Sequence, residues 1–373
     1  MARMRLKDIA AEAGVSPATA SKYLNGHYEA MSAATRDRIA EVVERTGYRP
    51  SSVARNLRLD RTRTLGIVLA DIRNPYSSAM LEELSAQAAD GGYSLTCAIS
   101  GNDPAKETDA LERLCEAGVD GLIVNTCGGN DEQLMQLNRR LPIVLLDRDV
   151  EHGDGDLEQA GLDLVTSNNA ELVSALVREV SGAAGADAGE RRRTMAARPS
   201  RTQAKAVRPS CTRIHLLTEG DSSSSIRRER ALTFMRELSA QNLAGSTLAL
   251  PTDAREAAKQ LVELADAYIP LGLIAINGLV FQRLVEAIAL SGLLVPERLR
   301  IATFDEYSWN RVLFGGVTTA AQDTHAIAST ALDRITTRIA SETTAGNNAV
   351  SEGDAETWRC EIPGTIIPRA STR

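Results

Sequence analysis

Between residues 65 and 304 short apolar runs alternate with amphipathic stretches, and this rhythm constrains the fold of the 373-residue chain more than any other feature. The runs are Leu65–Ala70, Tyr93–Ile99, Gly121–Asn125, Pro142–Leu146, Leu162–Thr166, Arg213–Leu217, Ser246–Leu250, Leu271–Ile276 and Leu299–Phe304. Between most of them lie Tyr76–Ala89, Lys106–Ala117, Ala170–Val180, Ile226–Leu238, Ala254–Ala267 and Leu279–Leu290, whose apolar residues recur at helical spacing. Short buried strands with helical crossovers predict α/β architecture with parallel sheets covered on both faces. The runs are too many for one comfortable sheet, so two doubly wound lobes are expected. Aromatic residues are only 3% of the chain, so the cores must rest on Leu, Ile, Val and Ala.

Sheets of this kind bind ligands beyond the carboxyl ends of their strands. The residues there are Asp71 to Tyr76, Asn125-Thr126, Asp147-Arg148, Asn168-Asn169, Asn277 and Asp305-Glu306. One Asn or Asp at such a place is ordinarily a loop cap. Amides and charges at strand after strand suit a polyhydroxylated solute, whose hydroxyls need donors and acceptors together.

The first 63 residues read differently. They hold 12 Lys/Arg and 7 Asp/Glu, net +5, whereas the other 310 are net −12. A basic head on an acidic body suits a polyanionic partner. Leu6, Ile9, Ala10 and Ala13 form one face of a short helix, which Gly14 can end. Ser16 is a good cap and Pro17 a good first residue for a second helix reaching about Asn25. Ala20, Tyr23 and Leu24 form its inner side. Ser32 can cap a third helix carrying Ile39, Val42, Val43 and Thr46, ended by Gly47. Two short helices across a tight turn, braced by a third, predict a helix-turn-helix. Its second helix would show Pro17, Ala18, Thr19, Ser21 and Lys22 to DNA, with Lys22 able to donate to a guanine edge and Ala18 or Thr19 able to touch a thymine methyl. The competing reading is a small three-helix domain that binds protein; the charge and the turn residues weigh against it.

The stretches KDIAAEAGVSPATASKYLNG and TGYRPSSVARNLR resemble the head of the lac repressor family of bacterial transcription regulators. That resemblance implies a hinge helix from Pro50, capped by Ser51, lying in the operator's minor groove. Val53, Ala54 and Leu57 would line one face, Leu57 would be an apolar wedge, and Arg55 and Arg58 would meet phosphate. Lys7, Ser16, Asn25, Tyr48, Ser51 and Ala54 complete the DNA-facing set it implies. DIRNPYSSAMLEELSAQAADGGYSL, DGLIVNT and PIVLLDRD resemble the family's first effector lobe. RRERALTFMREL, LIAINGL, VPERLRIATFDEYS and VTTAAQD resemble its second. The implied body is periplasmic-binding-protein-like, with an effector touched by Tyr76, Asn125, Asp147 or Arg148, Asn169, Arg228, Arg230, Asn277, Asp305 and Gln322. It implies three chain crossovers, near Asp163–Val165, Ala321–Asp323 and Ile362–Gly364. The expected organisation is a head (1–49), a hinge and linker (50–63) and a body (64–373). Lobe 1 would take about 64–163 and 323–362, and lobe 2 about 165–321 and 363–373. The sequence departs from the family at Asn277-Gly278, where Asn-Asp is usual, and at Thr233-Phe234, where Gly-Phe is usual. Ala20 and Lys22 stand where Val and Arg are common. VTSNN and LLDRD resemble regulators that sense sugar acids, and Arg148, Arg228 and Arg230 could pair a carboxylate.

Residues 183–211 fit neither lobe: with 7 basic and 2 acidic residues and few core formers, they read as a disordered basic insert. The opening MARMRLKD lacks the apolar stretch of a secretory signal, and no apolar run is long enough to span a membrane. Five scattered cysteines without CxxC spacing read as reduced cytosolic thiols. Four dispersed histidines suggest no metal, and no nucleotide-binding or hydrolase motif suggests a cofactor or catalytic residues. The leading expectation is a cytoplasmic, homodimeric DNA-binding repressor with a sugar-like effector. The alternative is an α/β enzyme acting on a sugar-like substrate and fused to a DNA-binding head.

Overall fold

The computed structural model describes residues 4–24, 26–29, 31–48, 61–150, 162–182, 211–220, 224–344 and 358–373. The expectations for Asn25, Ser51, Ala54, Arg55, Leu57, Arg58 and insert residues 183–210 lie outside them. The chain divides into two compact units, 1–63 and 64–373.

The head unit contains α1 (Leu6–Glu12), α2 (Pro17–Leu24) and α3 (Ala33–Thr46). Gly14 turns between the first two at φ +64°, a conformation that glycine adopts without strain. Ser16 Oγ accepts from Thr19 N at 3.1 Å at the start of α2, and Ser32 Oγ accepts from Thr35 N at 3.2 Å at the start of α3. These caps satisfy amides that a helix start leaves free. Ile9, Ala13, Ile39 and Val42 form the core, with Met4, Val15, Tyr23, Val43 and Tyr48 packed against it.

In the body unit, lobe 1 has the sheet order β11-β5-β4-β3-β1-β2. Its strands are β1 (Thr64–Leu69), β2 (Ser94–Ile99), β3 (Gly121–Asn125), β4 (Ile143–Leu146), β5 (Asp163–Ser167) and β11 (Arg359–Ile362), all paired in parallel. Lobe 2 has the order β12-β10-β9-β8-β6-β7. Its strands are β6 (Arg213–Thr218), β7 (Ala244–Ala249), β8 (Leu271–Ala275), β9 (Leu299–Phe304), β10 (Thr318–Ala321) and β12 (Thr365–Ile367), with only the β10–β12 pair antiparallel. Both are doubly wound sheets, the second strand of each lying at an edge.

Helices cover both faces. In lobe 1, α4 (Pro75–Asp90) and the long α11 (Thr324–Thr344) pack on one face through Met80, Leu84, Ile327, Ala331 and Ile335. On the other, α5 (Pro104–Glu116) and α6 (Asp131–Asn138) pack through Leu111, Leu114 and Leu134. In lobe 2, α7 (Asn169–Ser181), α8 (Ser225–Ala240), α9 (Ala254–Ala267) and α10 (Gly278–Ser291) share one core built on Leu176, Phe234, Leu261 and Phe281.

Two sequence boundaries move. Strand β5 continues to Ser167, pairing with β4 and β11, so the first crossover follows Ser167 and not Asp163–Val165. The buried Thr166 and Ser167 complete the strand although they are polar. Cys211, assigned to the insert, belongs to lobe 2: it is fully buried, its amide donates to Ser181 O at 3.1 Å and its thiol to Pro270 O at 2.9 Å. Among the described residues no helix is long and apolar enough to cross a membrane.

Candidate functional site

The head offers one exposed helical face. Pro17, Ala18 and Lys22 of α2 are exposed, as is Lys7 of α1, while Thr19 is half-buried with its hydroxyl 2.9 Å from Ser16 Oγ. Ser16 is exposed and serves as the cap. Ser21 does not join this face. It is 9% exposed beside the fully buried Ala20, because positions 20, 21 and 24 share one side of a 3.6-residue helix and 18 and 22 share another. Tyr48 is half-buried against the head core.

The second site is a narrow cleft at the seam of the two lobes. It is lined by Asn74, Tyr76, Asp147 and Arg148 from lobe 1 and by Ile226, Arg227, Arg230, Asn277, Asp305 and Gln322 from lobe 2. Local structure explains how these residues come together. Asn74 and Asn277 cap the starts of α4 and α10, accepting from Tyr76 N at 3.3 Å and Val280 N at 2.9 Å. Asp147 and Asp305 follow β4 and β9 with φ of +65° and +68°, a region that few non-glycine residues occupy. Their amides donate to Val165 O and Ala320 O at 2.7 and 2.8 Å, extending each sheet to the seam. The two lobes thus present matching acidic residues from matching strand ends.

Arg230 is anchored from three directions. Its Nε donates to Asn169 Oδ1 at 2.8 Å, its Nη1 to Ile276 O at 2.8 Å, and its guanidinium carbon lies 3.7 Å from the centroid of the Phe304 ring. Arg148 is 6% exposed and donates to Asn102 Oδ1 at 3.2 Å and Thr126 O at 3.1 Å. Arg227 pairs with Glu219, which also accepts from Asn277 Nδ2 at 3.3 Å. Gln322 bridges the lobes, accepting from Ser167 Oγ at 2.7 Å and donating to Asp305.

Burial sets the electrostatics. It pushes the Asp147 and Asp305 carboxyls above their ordinary range, with Arg230 pulling the other way. It raises the Tyr76 phenol far above 10, helped by Asp147 and Asp305, so the hydroxyl stays protonated. Burial lowers Arg148, and the nearby Arg227 lowers it further. The Tyr76 hydroxyl, Asp147 Oδ1 and the Tyr307 hydroxyl are buried without a hydrogen-bond partner of good geometry. Buried polar groups are normally satisfied, so such atoms gathered at one seam are fitted to receive a polar ligand.

The structure brings Tyr76, Asp147, Arg148, Arg230, Asn277, Asp305 and Gln322 together at this seam. Asn125 lies beneath it, its Nδ2 donating to Leu146 O at 2.9 Å, and Asn169 acts through Arg230. Arg228 is exposed in a separate groove with Asp149, Glu229, Leu232 and Arg236. The neighbouring Arg227 reaches the cleft instead; sequence reasoning missed it along with Ile226, whereas Asn74 lies within the Asp71–Tyr76 stretch expected there. Helical phase was the available signal: Ile226 and Phe234 mark the inner face of α8, and 227 flanks it with 230 one turn on. No group of three or more His, Cys, Asp or Glu residues able to hold a metal ion occurs among the described residues.

Comparison with known proteins agrees in both units. The family described as "Bacterial regulatory proteins, lacI family" matches residues 5–51, and "Periplasmic binding protein-like domain" matches residues 205–372. The HTH-type transcriptional regulator PtxS of Pseudomonas plecoglossicida is 30% identical over 339 residues, covering 90% of this chain and 89% of that one. The HTH-type transcriptional regulator KdgR of Bacillus subtilis is 29% identical over 340 residues, covering 90% and 91%. In fold, the chain is similar to the lac repressor dimer bound to operator and the anti-inducer ONPF, with a TM-score of 0.75 at 18% identity over 100% of this chain and 99% of that one. On its head and its body alike, the chain belongs to the lacI family of bacterial regulatory proteins and is a DNA-binding transcriptional regulator.

Proposed function

We propose that this regulator is a cytoplasmic, homodimeric repressor of a near-palindromic operator, controlled by a sugar or sugar acid held between its lobes, and that it catalyses no reaction. The observation that carries the reading is the cleft. It gathers buried carboxylates, guanidiniums, amides and phenols, and leaves Tyr76 and Asp147 polar atoms without partners. That inventory matches a compact solute bearing many hydroxyls. The cleft arginines are held by carbonyls, amides and a carboxylate, an arrangement for binding rather than for activating a nucleophile. A 36% identical relative over 174 residues is named sucrose operon repressor, of Klebsiella pneumoniae, which supports both repression and a sugar. A head that exposes one short recognition face reads a half-site, so two heads on a symmetric site bind far better than one.

The test is genomic footprinting of the full-length protein, followed by a thermal-shift screen of sugars and sugar acids. An enriched near-palindromic site and a stabilising ligand are expected, because a ligand that binds only the folded state raises its apparent stability. Footprints without palindromic enrichment, or a screen without any stabilising ligand, would contradict the reading.

A further inference from the structure

Helix α10 begins at Gly278, directly after the cleft residue Asn277. The backbone there is ordinary helix, so glycine is not required for its φ. Space is the constraint. A Cβ at 278 would lie 2.9 Å from the Tyr307 hydroxyl, 3.2 Å from Tyr307 Cε2 and 3.2 Å from Cδ of Pro75. Pro75 opens α4 in lobe 1, so Gly278 sits where one lobe meets the other and Tyr307 fills the room beside it. Tyr307 is held by stacking on Trp309, with ring centroids 4.8 Å apart and planes at 26°. Its hydroxyl is buried beside the Asp305 carboxylate and, like that of Tyr76, has no hydrogen-bond partner of good geometry.

We propose that Tyr307, admitted by Gly278, is a specificity-determining residue of the cleft: it places a phenol hydroxyl at the seam and favours a ligand that presents an acceptor oxygen there, a carboxylate or carbonyl rather than an alcohol. The chemistry follows from the donor count. An ionised acidic side chain entering from position 278 would only accept hydrogen bonds, whereas a protonated phenol can donate. Burial and the neighbouring Asp305 hold the Tyr307 phenol far above its ordinary pKa, so its proton stays in place at neutral pH. The guanidiniums of Arg148, Arg227 and Arg230 face the same cleft and tolerate the charge of a carboxylate. The inference rests on the cleft being the effector site.

The test uses the full-length protein and matched pairs of C5 and C6 alditols and aldonates, such as D-glucitol and D-gluconate, which differ only at C1. Thermal shift selects the pair that binds, and calorimetry measures it on the native protein, Tyr307→Phe and Gly278→Asp. Tyr307→Phe keeps the ring on Trp309 and removes a hydroxyl that lies against Asp305 without a hydrogen bond of good geometry, so its melting temperature should stay within about 2 °C of the native protein. The native protein should prefer the aldonate. Tyr307→Phe should weaken the aldonate about ten-fold and the alditol less than about two-fold, as expected for removing one partner of a buried hydrogen bond. Gly278→Asp should also lose aldonate affinity, by displacing the phenol. Preference for the alditol, or equal effects of Tyr307→Phe on both ligands, would overturn the assignment of Tyr307 and leave the effector cleft standing. Binding by no member of the panel would overturn this inference, and the wider screen of sugars and sugar acids then decides the effector reading separately.

Discussion

Asp147 and Asp305 are residues at which the fold works against its own stability. Each occupies a left-handed backbone conformation at a strand end, and each carboxyl is buried at the seam. Non-glycine residues in that region are uncommon, and their clustering at binding sites is a familiar use of strain. Burial pushes both carboxyls upward, against the pull of Arg230, so the folded state disfavours the charged forms. The sign for stability follows. Their contribution is fully present below the ordinary carboxylate pKa and is lost as pH rises through the higher folded value. Well above the ordinary carboxylate pKa the buried Asp147 carboxyl, with Oδ1 unpartnered, is therefore a liability that a bound ligand can relieve. Asp147→Asn should raise the melting temperature of the ligand-free protein at neutral pH by about 2 °C, and the gain should shrink toward acid pH. The same substitution should weaken effector binding at least about ten-fold, by removing a buried acceptor. Calorimetric melts at several pH values, with and without ligand, check both effects. A lower melting temperature across the whole pH range would show that Asp147 stabilises the empty protein.

At the scale of elements, the strand and helix alternation was legible because the central strands are short, predominantly apolar runs separated by amphipathic helices. β3 (Gly121–Asn125) and β9 (Leu299–Phe304) start and stop where hydrophobicity does. The short late strands were harder. β10 (Thr318–Ala321), β11 (Arg359–Ile362) and β12 (Thr365–Ile367) are three or four residues long and mix polar with apolar positions, so only the family resemblance pointed near them. The cleft was legible in its strand-end residues, which topology alone places at the seam. It was not legible in its helical contributors, where a phase difference of one residue separates Arg227 from Arg228; in the head the same difference separates an inward Ser21 from an outward Lys22. The insert is a further case. Its flanks meet in a hydrogen bond from Cys211 N to Ser181 O at 3.1 Å, so the body closes behind it. Deleting residues 185–209 should leave the melting temperature within about 2 °C of the full chain and operator affinity within about two-fold, since loop length weighs only weakly on stability. A cooperative loss of folding, or of operator binding, would mean that the insert forms part of a lobe or of the DNA surface.

For the whole molecule, charge and architecture divide the labour. The head segment carries net +5 and the remainder net −12, so attraction to DNA is concentrated in 1–63 while the acidic body is repelled by it. The logarithm of operator affinity should accordingly fall linearly with the logarithm of salt concentration, as phosphate contacts release counterions. Control by a cleft ligand adds a second requirement, because coupling between two binding sites is reciprocal. The decisive measurement is a full linkage cycle at fixed salt: operator affinity with and without the ligand found by thermal shift, and ligand affinity with and without operator. Regulation through the cleft predicts that the ligand changes operator affinity at least about five-fold, that operator changes ligand affinity by the same factor in the same direction, and that Asp147→Asn diminishes both. A ligand that binds and stabilises the protein yet leaves operator affinity unchanged would contradict it.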